Sequence, residues 1–345
     1  MSEWSASRLK RLIDAAQGRR PVDLCIRGCR LVNVFSGAVE TVDLGVDGGL
    51  VVGWGDYEAE RSMDARELFA CPGFIDGHIH IESTLLSPSQ FAAAVLPWGT
   101  TAVVADPHEL ANVYGVRGIR WLLEAVDGLP VDFYFNLPSC VPASPLESAG
   151  ARLTARDLEG LKGHPKILGL AEMMNYPGVL MGVPEVLEKL LMFEGTVLDG
   201  HAPGLAGLAL NAYIAAGIRS DHECTSPEEA RQKLARGMTV MIREGSQSKD
   251  LAALLPVVQD HSWTQCMFVS DDRHPDDLLR DGHMNAIVNR AMSLGMEPVR
   301  ALALATLTPA RYFGLSRRGA LAPVSYTHLR AHETPEHLVC RLLLE

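Results

Sequence analysis

The chain has 345 residues and a mass of 37.4 kDa, with 47% hydrophobic and 21% charged residues. Such a composition excludes a disordered or fibrous class and leaves room for one barrel-sized domain with a small companion. Lys plus Arg number 31 against 42 Asp plus Glu, a net charge of −11 without a dense basic patch, which argues against a nucleic-acid partner.

Residues 1–20 carry Arg8, Lys10, Arg11, Arg19 and Arg20 but no continuous apolar segment. They predict an amphipathic surface helix over Ser5 to Gln17, not a secretory leader. The cysteines, Cys25, Cys29, Cys71, Cys140, Cys224, Cys266 and Cys340, are scattered without a CxxC pair and read as reduced core thiols of a cytoplasmic protein. The most apolar window, Ala202 to Ile218, is interrupted by Asn211 and Tyr213; it predicts a buried helix and no membrane span.

Residues 21–70 alternate short β-type runs, Asp23 to Arg27, Arg30 to Val34, Val42 to Val46 and Leu50 to Trp54, with turns such as Ser36-Gly37 and Asp47-Gly48-Gly49. They predict a small antiparallel sheet, part of a composite β-sandwich. At residue 71 the rhythm changes. Cys71-Pro72-Gly73-Phe74-Ile75-Asp76-Gly77-His78-Ile79-His80 is an apolar run that stops at a polar cluster, the pattern of a strand buried on both faces. Residues two apart on a strand share a side, so His78 and His80 offer one divalent cation two imidazoles about 6–7 Å apart along the backbone. Taken alone, the pair also reads as core histidines bonded to the backbone.

Further apolar runs at Thr101–Ala105, Phe133–Leu137, Ile167–Ala171, Thr196–Leu198, Ile218, Thr239–Ile242 and Cys266–Val269 alternate with helical patterns. With Phe74–Ile75 they give eight strand candidates and predict an α/β fold, a TIM-like (β/α)8 barrel over 71–323. Ser226-Pro227-Glu228-Glu229 combines an N-cap serine, a first-position proline and a third-position glutamate, and Arg117 to Val126 and Val186 to Phe193 are amphipathic. An open doubly wound sheet competes, but no GxGxxG follows the first strand and eight units suit closure.

The C-terminal ends of barrel strands face one mouth. Here those ends carry His78 and His80, Asp106-Pro107-His108-Glu109, Asn136 to Ser139, Glu172, His201, His222-Glu223, Arg243-Glu244 and Ser270-Asp271-Asp272. So regular a placement of ligand-type residues predicts a metal centre. His164, His261 and His283 lie in loop or helical contexts and read as surface residues. Arg243-Glu244 reads as a structural ion pair at the mouth, and Asp106 either caps the following helix or orients its neighbours.

These residues resemble the amidohydrolase superfamily and, within it, the adenine deaminase family, through PGFIDGHIHIEST, ADPHELANVYG, GLAEMMNYPGV, LDGHAPGLAG, LNAYIAAGI, HECTSPEEA, MIREGS and SDDRHPDDL. The resemblance implies two histidines from the first barrel strand, a bridging carboxylate from the fourth, one histidine each from the fifth and sixth, and an aspartate from the eighth. Those roles fall on His78 and His80, Glu172, His201, His222 and Asp271. The implied cofactor is a binuclear divalent centre of Mn2+ or Fe2+, with Zn2+ also admissible, and the mixed nitrogen and oxygen donors suit it. Lys166 lies at the wrong end of the fourth strand to serve as a carboxylated bridging lysine, so Glu172 is preferred over it; the competing reading is that Glu172 caps a helix.

The implied activity is hydrolytic deamination of adenine to hypoxanthine and ammonia by a hydroxide shared between two ions, with Asp271 moving the proton. A neutral acid must also protonate the purine ring; Glu82, His108 and Glu109 are candidates, with Asp106 orienting the latter or touching an additional metal. A cyclic-amide hydrolase of dihydroorotase or hydantoinase type shares the cage, and a non-catalytic metal-stabilised binding protein is a third reading. The resemblance also implies a homo-oligomer in the full-length form, without membrane or nucleic acid. After Gly319-Ala320-Leu321-Ala322-Pro323 the resemblance stops, and 324–345 reads as a non-native tail with His328, His332 and His337 outside the function. A shortened gene of this kind is expected to leave the edges of the small sheet open.

Overall fold

The computed structural model describes residues 5–323 apart from 145 and 259–261; His261 and the segment 324–345, with His328, His332 and His337, lie outside the described residues. The chain divides into Phe74–Met296 and a second unit drawn from Met1–Gly73 and from Glu297 onward.

In the second unit, helix Ala6–Ala16 opens at Ser5, whose hydroxyl accepts from the Arg8 N–H at 3.1 Å, satisfying one of the donors a helix start leaves free. Leu12 and Ala15 pack with Val22, Cys25, Val52 and Tyr57. β1 (Val22–Asn33), β2 (Ala38–Asp47), β3 (Leu50–Trp54) and β4 (Ala59–Asp64) form a sheet of order β3-β2-β1-β4, with β5 (Phe69–Ala70) also on β1. The β1–β2 and β2–β3 hairpins are antiparallel, as the turn residues predict. The sheet is nevertheless mixed, because β4 and β5 pair with β1 in parallel. After β3 the chain crosses to the free edge of β1 and runs along it in the same direction, a path that the strand pattern does not reveal. Helices Pro298–Leu304 and Leu307–Tyr312 belong to this unit.

The larger unit alternates strands and helices. β6 (Phe74–His80), β7 (Thr100–Ala105), β8 (Asp132–Leu137), β9 (Ile167–Met173) and β10 (Val197–Gly200) run parallel, and β11 (Ser220–Asp221), β12 (Thr239–Arg243) and β13 (Cys266–Val269) form a second parallel set. These are the strands of a TIM-like (β/α)8 barrel. The ring closes where β14 (Asp271–Asp272), following β13 directly, pairs Asp271 with Ile79 of β6. Between β10 and β11 no ladder forms and the two strands end separate sheets; the Arg219 N–H, just before β11, donates to the Leu198 C=O of β10 at 3.0 Å. The predicted strand at Ile218 is displaced to Ser220–Asp221 accordingly.

Phe133, Phe135, Val103, Leu137, Leu170 and Ile79 fill the core, and the helices begin where their caps are written. Pro227–Leu234 starts after Ser226, whose hydroxyl accepts from the Glu229 N–H. The apolar window yields helix Gly207–Ala215, with Leu210 and Tyr213 buried. No helix of the described residues is long and apolar enough to cross a membrane. Phe133→Ala removes a buried ring packed against Phe91 at a centroid distance of 6.0 Å; we expect a loss of about 3–5 kcal/mol in unfolding free energy, read from the denaturant midpoint, and a loss below ~1 kcal/mol would show that the ring is not a core residue.

Candidate metal centre

The strand ends bring the histidines together. Every residue of β6 is buried, so His78 and His80 reach the mouth from a strand with no freedom to splay. Their ring centroids lie 4.9 Å apart; His78 stacks on His222 at 4.2 Å, His222 stands 5.2 Å from His201, and His80 stands 4.6 Å from His108.

Glu172, inside β9 and therefore not a helix cap, lies among them. Its Oε1 is 3.3 Å from His80 Nε2, 4.0 Å from His78 Nε2 and 3.5 Å from His108 Nδ1. Its Oε2 is 2.6 Å from His201 Nδ1 and 3.1 Å from His222 Nε2. One carboxylate thus turns each oxygen to a different set of histidines. Asp271 completes the group, with Oδ1 3.3 Å from His80 Nε2 and 3.9 Å from His78 Nε2. It holds a positive φ of 55°, a conformation that costs a non-glycine residue free energy and persists where the surroundings dictate it.

The chemistry of the donors fits a divalent cation. His80 Nδ1 lies 3.0 Å from the Asp106 carbonyl oxygen, which can only accept, so the N–H sits on Nδ1. The lone pair of Nε2 then faces two carboxylate oxygens, and such an arrangement demands a positive charge between them, a proton or a metal. Burial works against that charge, yet Asp271 and Glu172 hold the His80 pKa well above its ordinary value. For His78, burial and then the neighbouring His222 and His80 push the pKa well below the usual range, and its buried Nε2 has no hydrogen-bond partner. Asp106 Oδ1, Glu82 Oε2 and Glu109 Oε2 are likewise buried and unpartnered; orphans of this kind call for an ion or water. Of the four sets of ligand atoms among the described residues that lie within 4.8 Å of one another, three are formed by these residues: His80, Asp106, His108 and Glu172; His78, His222 and Asp271; Glu172, His201 and His222.

Asp106 does not cap the next helix, which begins at His108 with Pro107 at the cap and no side-chain bond. It accepts instead from His108 Nδ1 at 3.0 Å, the orienting alternative. Glu109 Oε2 is 3.7 Å from His80 Nδ1. Glu82 Oε1 accepts the Leu110 N–H at 3.1 Å, and burial, followed by the charge of Glu109, raises its pKa to about 7.

Arg243 does not pair with Glu244. Neighbours on a strand point to opposite sides, and Arg243 binds Glu223, Asp271 Oδ2 at 3.1 Å and Asp250 at 3.1 Å, while Glu244 accepts the Leu251 N–H. His283 is the clearest departure from the expected surface position. It is fully buried, with Nδ1 2.9 Å from Thr100 Oγ1 and Nε2 2.9 Å from Asp76 Oδ2, and partners on both nitrogens remove the cost of burial. Asp76 in turn accepts from the His78 N–H at 3.2 Å and from the Ser270 N–H at 3.1 Å. It ties the first and last strands beneath the site, and its place two residues before His78 was the available signal. Tyr213, read as an interruption of an apolar window, accepts the His201 N–H at 3.0 Å and donates to the Met173 carbonyl at 2.8 Å.

Residues 69–326 match the model of the Amidohydrolase family. The chain belongs to that family, whose members use a divalent metal centre. It is 68% identical over 321 residues to an adenine deaminase of Syntrophobacter fumaroxidans, covering 93% of this chain and 56% of the relative. It is 49% identical over 315 residues to adenine deaminase 2 of Carboxydothermus hydrogenoformans, covering 91% and 55%. The chain therefore spans about half the length of the curated relatives it matches. A solved adenine deaminase superposes with a TM-score of 0.63 at 13% identity, over 87% of each chain. A D-hydantoinase superposes at 0.61 and 16% identity, over 88% of this chain and 85% of that one; both show the fold alone.

Asp76→Ala strips acceptors from two backbone amides, the Ser270 hydroxyl and His283 at once. We expect a loss of at least ~1–3 kcal/mol, read by chemical denaturation; an unchanged midpoint would remove Asp76 from the supporting network.

Proposed function

We propose that His78, His80, Glu172, His201, His222 and Asp271 hold a pair of divalent cations, and that the protein removes the 6-amino group of adenine by hydrolysis, giving hypoxanthine and ammonia. The carrying observation is the Glu172 carboxylate, with one oxygen toward His78 and His80 and the other toward His201 and His222. The relatives named adenine deaminase support the substrate. Nitrogen and oxygen donors without a thiolate suit Mn2+ or Fe2+, with Zn2+ chemically admissible. When bound, such a pair lowers the pKa of water toward neutrality and supplies the nucleophile.

The chain's own groups then move the protons. Asp271 Oδ1 takes the proton of the attacking water and delivers it to the amine nitrogen as the carbon–nitrogen bond breaks. Arg243, bound to Oδ2, keeps the carboxylate aimed. Glu82, buried and lacking a partner at Oε2, supplies the proton to the purine ring, while His108, steadied by Asp106, and Glu109 contact the base. A cyclic-amide hydrolase with a carboxylated lysine has less support: Lys166 precedes β9, and its Nζ lies 3.5 Å from the Val126 carbonyl, away from the mouth. The acidic balance of the chain favours a small-molecule substrate over nucleic acid, and we extend the reading to a cytoplasmic homo-oligomer in the full-length form.

Metal analysis combined with ammonia release from adenine tests the reading. Chelation should abolish turnover, and Mn2+ should restore it. Asp271→Asn should lower kcat by roughly 10^2–10^4-fold while metal content stays near that of the parent; near-normal turnover in that variant rejects the proton-transfer role. Glu82→Gln should likewise depress kcat without metal loss.

A further inference from the structure

We propose that Lys233, on the outer helix Pro227–Leu234, is a positioning residue that sets the spacing of His201 and His222 across the β10–β11 seam of the barrel, where the two neighbouring strands share no ladder. The inference rests on the metal centre proposed above. Lys233 touches neither histidine; it bonds Ala202 and Asp221, the chain neighbours of His201 and His222.

Lys233 is fully buried. Its ammonium donates to the Ala202 carbonyl at 2.8 Å, to Asp221 Oδ2 at 2.9 Å and to Glu229 Oε1 at 2.6 Å. Three acceptors use the whole donor capacity of a lysine. Asp221 turns its other oxygen to the Ala202 N–H at 2.7 Å, and Oδ2 also accepts from the Glu223 N–H at 3.0 Å and the Cys224 thiol at 3.3 Å. Glu229 Oε1 further accepts the Gly204 N–H at 2.8 Å.

Both backbone groups of Ala202, the residue after His201, are therefore held by the Lys233–Asp221 pair. Asp221 itself precedes His222, and Glu223, which follows it, donates its N–H to Asp221. Because β10 and β11 end separate sheets, backbone bonds do little to fix their register, and these side chains do so in their place. Gly200 shows how tight the seam is: a Cβ there would stand 2.2 Å from the Ser220 carbonyl oxygen.

Asp221, Cys224 and Glu229 form a cluster of cation-ligating type, but the cation bonded to its two carboxylates is the lysine itself. A buried ion pair is a poor source of net stability, since well-packed apolar residues often do as well. What it supplies that they cannot is directional contact, here from one nitrogen to both loops that carry a histidine.

Outer-shell partners of metal ligands typically change affinity by roughly 10–100-fold, and that is the effect expected of Lys233→Met. Mn2+ alone is titrated into the folded full chain, parent and variant, with circular dichroism confirming a native spectrum at the working temperature. Glu229→Gln keeps the Lys233–Asp221 pair and hence the fold, and it should weaken Mn2+ binding in the same direction by less; it decides the matter where Lys233→Met does not fold. A lysine that only stabilises would lower the melting temperature in both variants and leave the Mn2+ affinity of the folded chain at the parent value. That result overturns the positioning role while the metal centre stands. A parent chain that binds no Mn2+, Fe2+ or Zn2+ overturns the centre first, and the role of Lys233 with it.

Discussion

The arrangement depends on one buried carboxylate shared among the histidines of the mouth. Glu172 meets His80, His108, His201 and His222 within 3.5 Å, and together the histidines hold its pKa well below the usual range against the pull of burial. A neutral imidazole has one N–H to give. His80 has already placed its own on the Asp106 carbonyl, so the nitrogen facing Glu172 and Asp271 presents electrons to electrons. Charge in such a site has to be balanced by a cation, and the rest of the mouth is arranged around that requirement.

How much of this could be read from the residues follows from where period and chemistry coincide. Parallel strands buried on both faces are written as short apolar runs, and a barrel aims every strand end at one mouth. His78, His80, Glu172, His201, His222 and Asp271 stand at or soon after the ends of apolar runs, among other polar residues; the resemblance singled these six out, and the structure places their side chains close to one another. The partners of those residues were not. Asp76, Thr100, Ser270 and His283 form a network that spans 183 residues of chain in one bond, Thr100 to His283, and local spacing carries no trace of such pairing. His283 looked like a surface residue because a lone histidine in a loop offers no sign of the acceptors waiting for it.

The small sheet teaches the same point from the other side. Its hairpins were readable from Asp47-Gly48-Gly49, yet the parallel return of β4 onto β1 is a matter of path, not of pattern. Arg243 was placed at the mouth correctly and given the wrong partner: adjacency in sequence suggested Glu244, while the alternation of a strand sends the two side chains apart. Arg243 instead spans Glu223 on one side and Asp271 on the other.

Two kinds of positive charge therefore serve the barrel. Arg243 and Lys233 are permanent: each is buried, each is bonded to carboxylates from more than one segment, and Lys233 does so where β10 and β11 share no ladder. The centre itself calls for cations that come and go, because its donors are imidazole nitrogens and carboxylate oxygens set within 4.8 Å of one another. Fixed cations outside the ring of ligands and exchangeable ones inside it divide the work of neutralising Glu172, Glu223, Asp221 and Asp271. A cation among the donors would take the place of the protons that Glu172 and Asp271 otherwise favour on His80 and His222, and a neutral imidazole is the form able to donate its lone pair to a metal. Had a lysine or arginine been placed within the ring, it would have satisfied the same carboxylates and closed the site to the ions that the proposed chemistry needs.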